Sequence, residues 1–344
     1  MEALEAGDPE QIGRYRLLGR LGSGGMGLVF LGESPGGRLV AVKLIRRELA
    51  ADTNFRVRFS QEVRAARKVS GIYTAPVVDA DPDGPQPWLV TAYVPGPSLA
   101  EAVAAQGPLP VRSVLMLAAG LAEGLSTLHA AGVVHRDLKP SNVLLASDGP
   151  RIIDFGISRA ADAVSLTGAG AVIGSPGFMS PEQAGGCETG RPSDVFSLGS
   201  VLTFAATGEG PFGGGADMAL LYRVQHAQPA TGRLPAQIRP LVEQCLAKDP
   251  RQRPTADRIL TELGSLRLAA GWLPASISQV LQVQKRPGLG ASDDTGLPIA
   301  PMEAEPAVAV GRSSAAADPV TVSATDPGPS PYAAFSQVHP PATT

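Results

Sequence analysis

Up to Val94 the apolar residues of this chain alternate in twos, and beyond Gly96 they recur in threes and fours. That change of period restricts the fold more than any other feature, because period two belongs to strands and period 3.6 to helices. "YRLLGRLG", "GLVFLGES" and "RLVAVKLI" are short, alternating or β-branched, and separated by Gly and Pro, which predicts an antiparallel sheet. One helical stretch, "TNFRVRFSQEVRAARKV", comes next, followed by strands around "APVVDA" and "PWLVTAYV". After Gly96, "SLAEAVAAQG" opens on a capping box, Ser98 with Glu101 three residues on. In "VRSVLMLAAGLAEGLSTLHAAG", Leu115, Ala118, Leu121, Ala122, Leu125 and Leu128 share one face, and Gly132 is placed to stop the helix. "SDVFSLGSVLTFAATG", "ADMALLYRVQH", "IRPLVEQCLAKD" and "TADRILTELGSLR" read as further helices. The expected class is α+β, a small sheet-rich lobe followed by a larger helical one.

Composition narrows the partners. A net charge of -3 from 29 basic and 32 acidic residues gives no electrostatic reason to expect nucleic acid or an anionic membrane. Cys187 and Cys245 are too few for a disulfide framework and lack metal-ligand spacing, which fits a reducing compartment. The opening "MEALEAGDPEQ" has neither the basic nor the apolar region of a secretory signal and reads as a frayed terminus. The most apolar stretches, "SVLMLAAGLAEGLSTLH" and "FSLGSVLTFAATG", fall short of the ~20 apolar residues that span a bilayer and read as core helices. No membrane span is expected, and the location expected is the cytoplasm. After about Gln284 the chain becomes rich in Pro, Ala, Ser and Asp, a composition that cannot offset its own ordering entropy. The expected organisation is a flexible N-terminus (1–13), one domain (14–270) with lobes 14–94 and 97–270, and a largely disordered tail (271–344).

Chemistry enters with "LGSGGMGLV". Gly22, Gly24, Gly25 and Gly27, with Leu21, Ser23 and Val29, form a G-x-G-x-x-G-x-V pattern between two strands, where a hairpin backbone can approach phosphates and present its amides to them. It is not a dinucleotide fingerprint, since a strand and not a helix follows. One hairpin later Lys43 interrupts the apolar "VAVKL"; a lysine on a buried strand face needs an anion, either a phosphate or a carboxylate. Glu62, in the first long helix beside Val63 and Ala66, is the natural carboxylate. "HRDLKPSN" at His135 to Asn142 and "DFG" at Asp154 to Gly156 complete the series, and "SPE" closes it at Ser180 to Glu182.

In this order and spacing the sequence resembles the eukaryotic-type (Hanks-type) serine/threonine protein kinases over roughly Tyr15 to Leu268, and "GGMGLVF", "HRDLKPSNVLL" and "VIGSPGFMSPEQ" resemble their bacterial branch. The resemblance implies the two-lobed protein-kinase fold and transfer of the ATP γ-phosphate to Ser or Thr hydroxyls of proteins. It implies Lys43 on the α and β phosphates, held by Glu62; Asp137 on the substrate hydroxyl; Lys139 on the γ-phosphate; and Asn142 and Asp154 on Mg2+, with Mn2+ as a substitute. The adenine would lie between Val29 and Ala41 above and Leu144 below, against backbone groups of Ala92 and Val94, with Thr91 as gatekeeper. Ser98 stands where many relatives carry a carboxylate, so a basic preference in the substrate does not follow. Asp194 resembles the helix aspartate that holds the catalytic-loop backbone, Arg253 the partner of Glu182, and His135 and Phe155 packed core residues.

The stretch from Asp154 to Glu182 has fixed ends and a Gly/Ala/Ser-rich middle, with Ser165 and Thr167 as candidate phosphorylation sites. Arg136 is expected to await a phosphate as its counter-charge there, added in cis or in trans within a homodimer. A nucleotide-binding scaffold without activity would usually have lost Lys43, Asp137 or Asp154, and all three are present. A small-molecule kinase would lack the "SPE"-ended peptide-docking segment.

Overall fold

The computed structural model describes residues 1–155, 175–264 and 271–284. Its first lobe is a six-stranded antiparallel sheet in the order β1-β2-β3-β4-β6-β5: β1 Gln11–Ile12, β2 Tyr15–Gly24, β3 Gly27–Glu33, β4 Leu39–Ile45, β5 Val77–Asp81 and β6 Trp88–Ala92. Between β4 and β5 come the single-turn α1 (Arg47–Ala50) and the long α2 (Thr53–Ala66), whose start is capped by Asp52 accepting from the N–H groups of Asn54 and Phe55. Strand alternation divides the apolar residues between two faces. Ile45 and Leu89 pack under Phe55, Phe59 and Val63 of α2, with the two Phe rings stacked 5.7 Å apart. Ile12, Tyr15, Leu17, Phe30, Val40, Val42 and Val90 form a separate cluster. Each such side chain, fully buried, contributes about 1.5–3 kcal/mol.

The second lobe is helical: α3 Leu99–Gln106, α4 Val111–Ala130, α5 Pro181–Ala184, α6 Arg191–Thr207, α7 Asp217–His226, α8 Arg239–Cys245, α9 Ala256–Leu263 and α10 Ala275–Gln284. A two-stranded ribbon, β7 Val143–Ala146 with β8 Gly149–Ile152, lies beside α4. The capping box at Ser98 and Glu101 is present, and α4 ends at Ala130 with Gly132 at φ 77°. Within α4 five residues of the expected stripe, Ala118, Leu121, Ala122, Leu125 and Leu128, are buried, while Leu115 is only half-buried; Val114, Met116 and Leu117 are buried beside them. That explains why α4, the one helix among the described residues long and apolar enough to cross a membrane, is instead the central core helix of the lobe.

Two expected boundaries move. The first thirteen residues are not a frayed end: β1 pairs with β2, Glu2 bridges to Arg20 through two 2.9 Å backbone hydrogen bonds, and Asp8 takes a bidentate pair from Arg20 at 2.6 and 2.7 Å. Two of the four acidic residues of this stretch, Glu5 and Asp8, find their counter-charge in Arg20. The domain also does not stop at residue 270. Trp272, Leu273, Ile277 and Leu281 join the core of the helical lobe, and only the part of the expected tail from residue 285 on lies outside the described residues. An Ile12→Ala substitution is expected to lower unfolding free energy by about 2–3 kcal/mol in a urea titration, as for a buried core residue; a change within ~0.5 kcal/mol would restore the flexible terminus.

Candidate active site

The site is organised by a carboxylate that never reaches it. Asp194, in the first turn of α6 and 1% exposed, accepts the backbone N–H of His135 and of Arg136, each at 2.8 Å, and meets His129 Nε2 at 2.8 Å. Arg136 can hold φ 66° on those terms; a non-glycine residue in that region is strained by about 1–3 kcal/mol, and the paired N–H bonds hold it there. The bend presents the next residues to the cleft. Asp137 N donates to His135 Nδ1 at 3.3 Å, while His135 Nε2 lies 3.1 Å from the Ile153 carbonyl, so the proton of this buried imidazole sits on Nε2. The Asn142 amide donates to the Asp137 carbonyl at 2.8 Å and to its carboxylate at 3.3 Å, and Lys139 Nζ reaches that carboxylate at 2.7 Å. Ile153 N donates to Asn142 O at 3.0 Å, which carries the chain directly to Asp154, itself at φ 58°.

The sheet supplies the opposite wall. On β4 Val40 and Val42 point into the lobe, which leaves Ala41 and Lys43 on the other, half-buried face; Val29, Thr91 and Leu144 are half-buried in the same way. Ala41 pairs with Thr91 and Val29 with Lys43 in the strand registers, which brings the expected roof residues together. Ala92 N is taken by the Pro76 carbonyl at 3.0 Å, and the chain then leaves the sheet through Val94 to Ser98. Ser98 itself is buried and spent as the cap of α3. In the glycine hairpin β2 and β3 run to Gly24 and Gly27, so the turn is only Gly25–Met26. A Cβ on Gly22, Gly24 or Gly25 would meet nothing within 4 Å, an open approach for a phosphate, whereas one on Gly27 would lie 1.8 Å from the Leu44 carbonyl oxygen. Leu21 and Ser23 are exposed on the same hairpin.

The expected charge pairing differs. Lys43 Nζ lies 3.0 Å from Asp154 Oδ2, and Glu62 is 3.7 Å from Arg136, so Lys43 and Glu62 are not partners here, and Arg136 already has a carboxylate. Asp154 supplies the carboxylate that Lys43 needs on its half-buried face, and Glu62 on α2 faces the Arg136 guanidinium instead. Burial alone would raise the Asp154 pKa; the charge and hydrogen bond of Lys43, with His135 and Lys139 nearby, outweigh it and hold the carboxyl below its usual range. The donor set suits a hard divalent cation: the Asn142 amide nitrogen is committed to Asp137, leaving its oxygen, and Asp154 stays ionised. Among the described residues no three His, Cys, Asp or Glu side chains gather as a metal cage.

Below the cleft, Ser180 caps α5 with Gln183 at N3, and Gln183 Nε2 donates to the Arg136 carbonyl at 2.7 Å. The sequence reading passed over Gln183 and His129, although the S-x-x-Q capping box was visible in "SPEQ". Arg253 grips Glu182 through two hydrogen bonds of 2.6 and 2.8 Å, and Ser193 Oγ donates to the same carboxylate at 2.6 Å. Phe155 and His135 are buried as expected, while Ser165 and Thr167 lie outside the described residues.

Burial pushes the Glu182 pKa up, but the hydrogen bonds from Arg253 and Ser193 win and hold it below the ordinary 4.5. The unfolded chain therefore takes up this proton first, and the stabilisation is complete above pH 4.5 and lost as the pH falls below it. Thermal unfolding across pH 3–6 is expected to show a shallower acid limb in Glu182→Gln than in wild type, and Arg253→Ala is expected to cost about 3–5 kcal/mol at neutral pH.

A family model described as "Protein kinase domain" matches residues 15–263. The chain is 48% identical over 301 residues to "Probable serine/threonine-protein kinase PkwA" of Thermomonospora curvata, covering 88% of this chain and 41% of that protein. It is 50% identical over 285 residues to "Serine/threonine-protein kinase AfsK" of Streptomyces coelicolor, covering 80% of this chain and 36% of that one. It thus spans well under half the length of either relative. The crystal structure of the Mycobacterium tuberculosis PknI kinase domain matches with a TM-score of 0.60 at 26% identity, over 77% of this chain and 100% of that one. With its sheet lobe, helical lobe and bent catalytic loop on the same pattern, the chain belongs to the protein kinase family, in its bacterial serine/threonine branch.

Proposed function

We propose that the chain transfers the γ-phosphate of ATP to serine or threonine hydroxyls of proteins. The observation that carries this reading is the convergence of Asp137, Lys139, Asn142, Asp154 and Lys43 on one cleft below an open glycine hairpin. Adenine would occupy the slot between Val29, Ala41 and Leu144, against the backbone of Ala92 and Val94 beside Thr91. The glycine hairpin, from Leu21 to Gly27, would cover the phosphates and Lys43 would hold them. Asn142 and Asp154 would hold Mg2+, or Mn2+ in its place, which offsets charge on the phosphate oxygens. Asp137 orients the acceptor hydroxyl and receives its proton as the oxygen attacks the γ-phosphorus and the bond to the ADP oxygen breaks. Lys139, 2.7 Å from that carboxylate, faces the charge that spreads over the transferring group. We place this domain in the cytoplasm, where ATP is supplied and where the free Cys187 and Cys245 remain reduced.

The crossed ion pairs support a resting arrangement that phosphorylation releases. A phosphate on Thr167 or Ser165 brings about -1.5 to -2 charge, a stronger partner for Arg136 than the Glu62 carboxylate at 3.7 Å. Glu62 then becomes available to Lys43, and Lys43 releases Asp154 toward the metal. A homodimer would supply the phosphate in trans.

Asp137→Asn is expected to lower kcat by about 10²–10⁴ with the KM for ATP little changed, measured with γ-labelled ATP and a generic protein acceptor. Equal labelling by wild type and Asp137→Asn would remove the proposal. Phosphatase-treated wild type is expected to be about tenfold less active than the phosphorylated form, and Thr167→Ala to resemble the treated enzyme before and after incubation with ATP. A Thr167→Ala and Ser165→Ala double variant with full activity would rule out the switch at these residues.

A further inference from the structure

The stretch "GWLPASISQVLQVQ", Gly271 to Gln284, contains no charged residue and lies beyond residue 263, where the kinase family model ends. It nevertheless lies within the span matched to the longer relative, because a match covering 88% of this chain cannot fit without including it. Trp272 is 2% exposed; its indole N–H donates to the Ala146 carbonyl at 3.0 Å, and its own carbonyl accepts from Ser113 Oγ of α4 at 2.7 Å. Ile277 and Leu281 of α10 are 1% and 3% exposed.

Leu281 lies against the linker between the lobes, and Trp272 against the end of β7 and α4. Leu145 N donates to the Pro97 carbonyl at 2.9 Å, and Ser98 bridges Leu144, so the linker is stitched along β7. Gly96, at φ 151°, lies between the two: a Cβ there would fall 2.5 Å from the Leu145 carbonyl oxygen and 3.1 Å from Leu281 Cδ2. Ala146, which receives the Trp272 indole N–H, ends the same strand that carries Leu144. One short segment thus touches both the outer side of the linker and the far end of the strand whose Leu144 faces the cleft.

We propose that Gly271–Gln284 positions the nucleotide from outside the cleft, with Trp272 and Leu281 as positioning residues that hold the linker at Gly96 against β7 and so set the depth of the adenine slot. This rests on the reading above that adenine binds between Leu144 and the linker. The groups that act on the γ-phosphate are held separately, by Asp194 and the bend at Arg136, so the clamp should govern ATP affinity and not the chemical step. An apolar clamp also makes this effect insensitive to salt.

The experiment uses the full chain and measures ATP affinity by titration, together with kcat, KM for ATP and KM for a peptide acceptor. Leu281→Ala is expected to raise the KM and Kd for ATP about five- to tenfold with kcat within about twofold and the peptide KM unchanged. Trp272→Phe, which keeps an aromatic ring and removes the N–H, is expected to move the same parameters in the same direction by a smaller factor. Ile259→Ala, fully buried in α9 of the same lobe, serves as the matched control and is expected to lower thermal stability without changing ATP affinity. If Leu281→Ala and Ile259→Ala change stability and kinetics alike, or if Leu281→Ala folds and binds ATP as wild type does, the clamp is disproved. Should Trp272→Phe fail to fold, Leu281→Ala alone decides. Wild type without saturable ATP binding would overturn the functional reading, and this one with it; wild type that binds ATP with variants indistinguishable from it overturns only this one.

Discussion

Everything in the cleft depends on one buried carboxylate. Asp194 accepts two consecutive backbone N–H groups and faces His129, and without it the bend at Arg136 loses both acceptors of its amide side and keeps the hydrogen bond from Gln183 to its carbonyl. A buried charge with incomplete partners is costly, so the three contacts satisfy Asp194 as much as they restrain the loop. The loop and helix α6 are therefore specified together: the helix start needs these donors, and the loop needs this acceptor. Asp137, Asn142 and Asp154 inherit their positions from that agreement through Asn142, whose amide and carbonyl join the Asp137 backbone to Ile153.

Above this fixed floor, the charges are arranged in pairs that can be exchanged. Lys43 with Asp154 and Arg136 with Glu62 use four residues from strand β4, helix α2, the catalytic loop and the chain after β8. Each charge has a partner, so none is left to the low-dielectric cleft. Removing one member of either pair leaves its own partner without that counter-charge and leaves the other pair intact.

Sequence was most informative where a rule is local. The period change at Gly96, the capping box at Ser98, the stop at Gly132 and the motif residues from Gly22 to Asp154 are all read within a few neighbours, and the structure has the expected lobes, cap and helix stop. Pairings between distant segments were less visible. Glu182 with Arg253 and Asp194 with the loop were legible through family resemblance, but the partner of Lys43 depends on how far α2 stands from β4, which no local pattern encodes. The acidic start looked like a solvated end because its counter-charge, Arg20, lies on the neighbouring strand. Residues 271–284 went unrecognised as part of the fold because Trp272 and Leu281 are isolated anchors whose partners are more than a hundred residues upstream.

The docking of Glu2 beside Arg20 has a consequence outside catalysis. An antiparallel sheet ends in strands whose outward N–H and C=O groups can template another chain. β1 covers only the first residues of β2, Tyr15 and Arg16, and the stretch from there to the glycine hairpin would otherwise present a bare edge. The two backbone bonds between Glu2 and Arg20 close part of that gap, and Glu5 and Asp8 surround it with negative charge anchored on the same arginine. The opening residues thus cover part of the outer edge of β2 just before the glycine hairpin, so that less of this edge is left to template another chain.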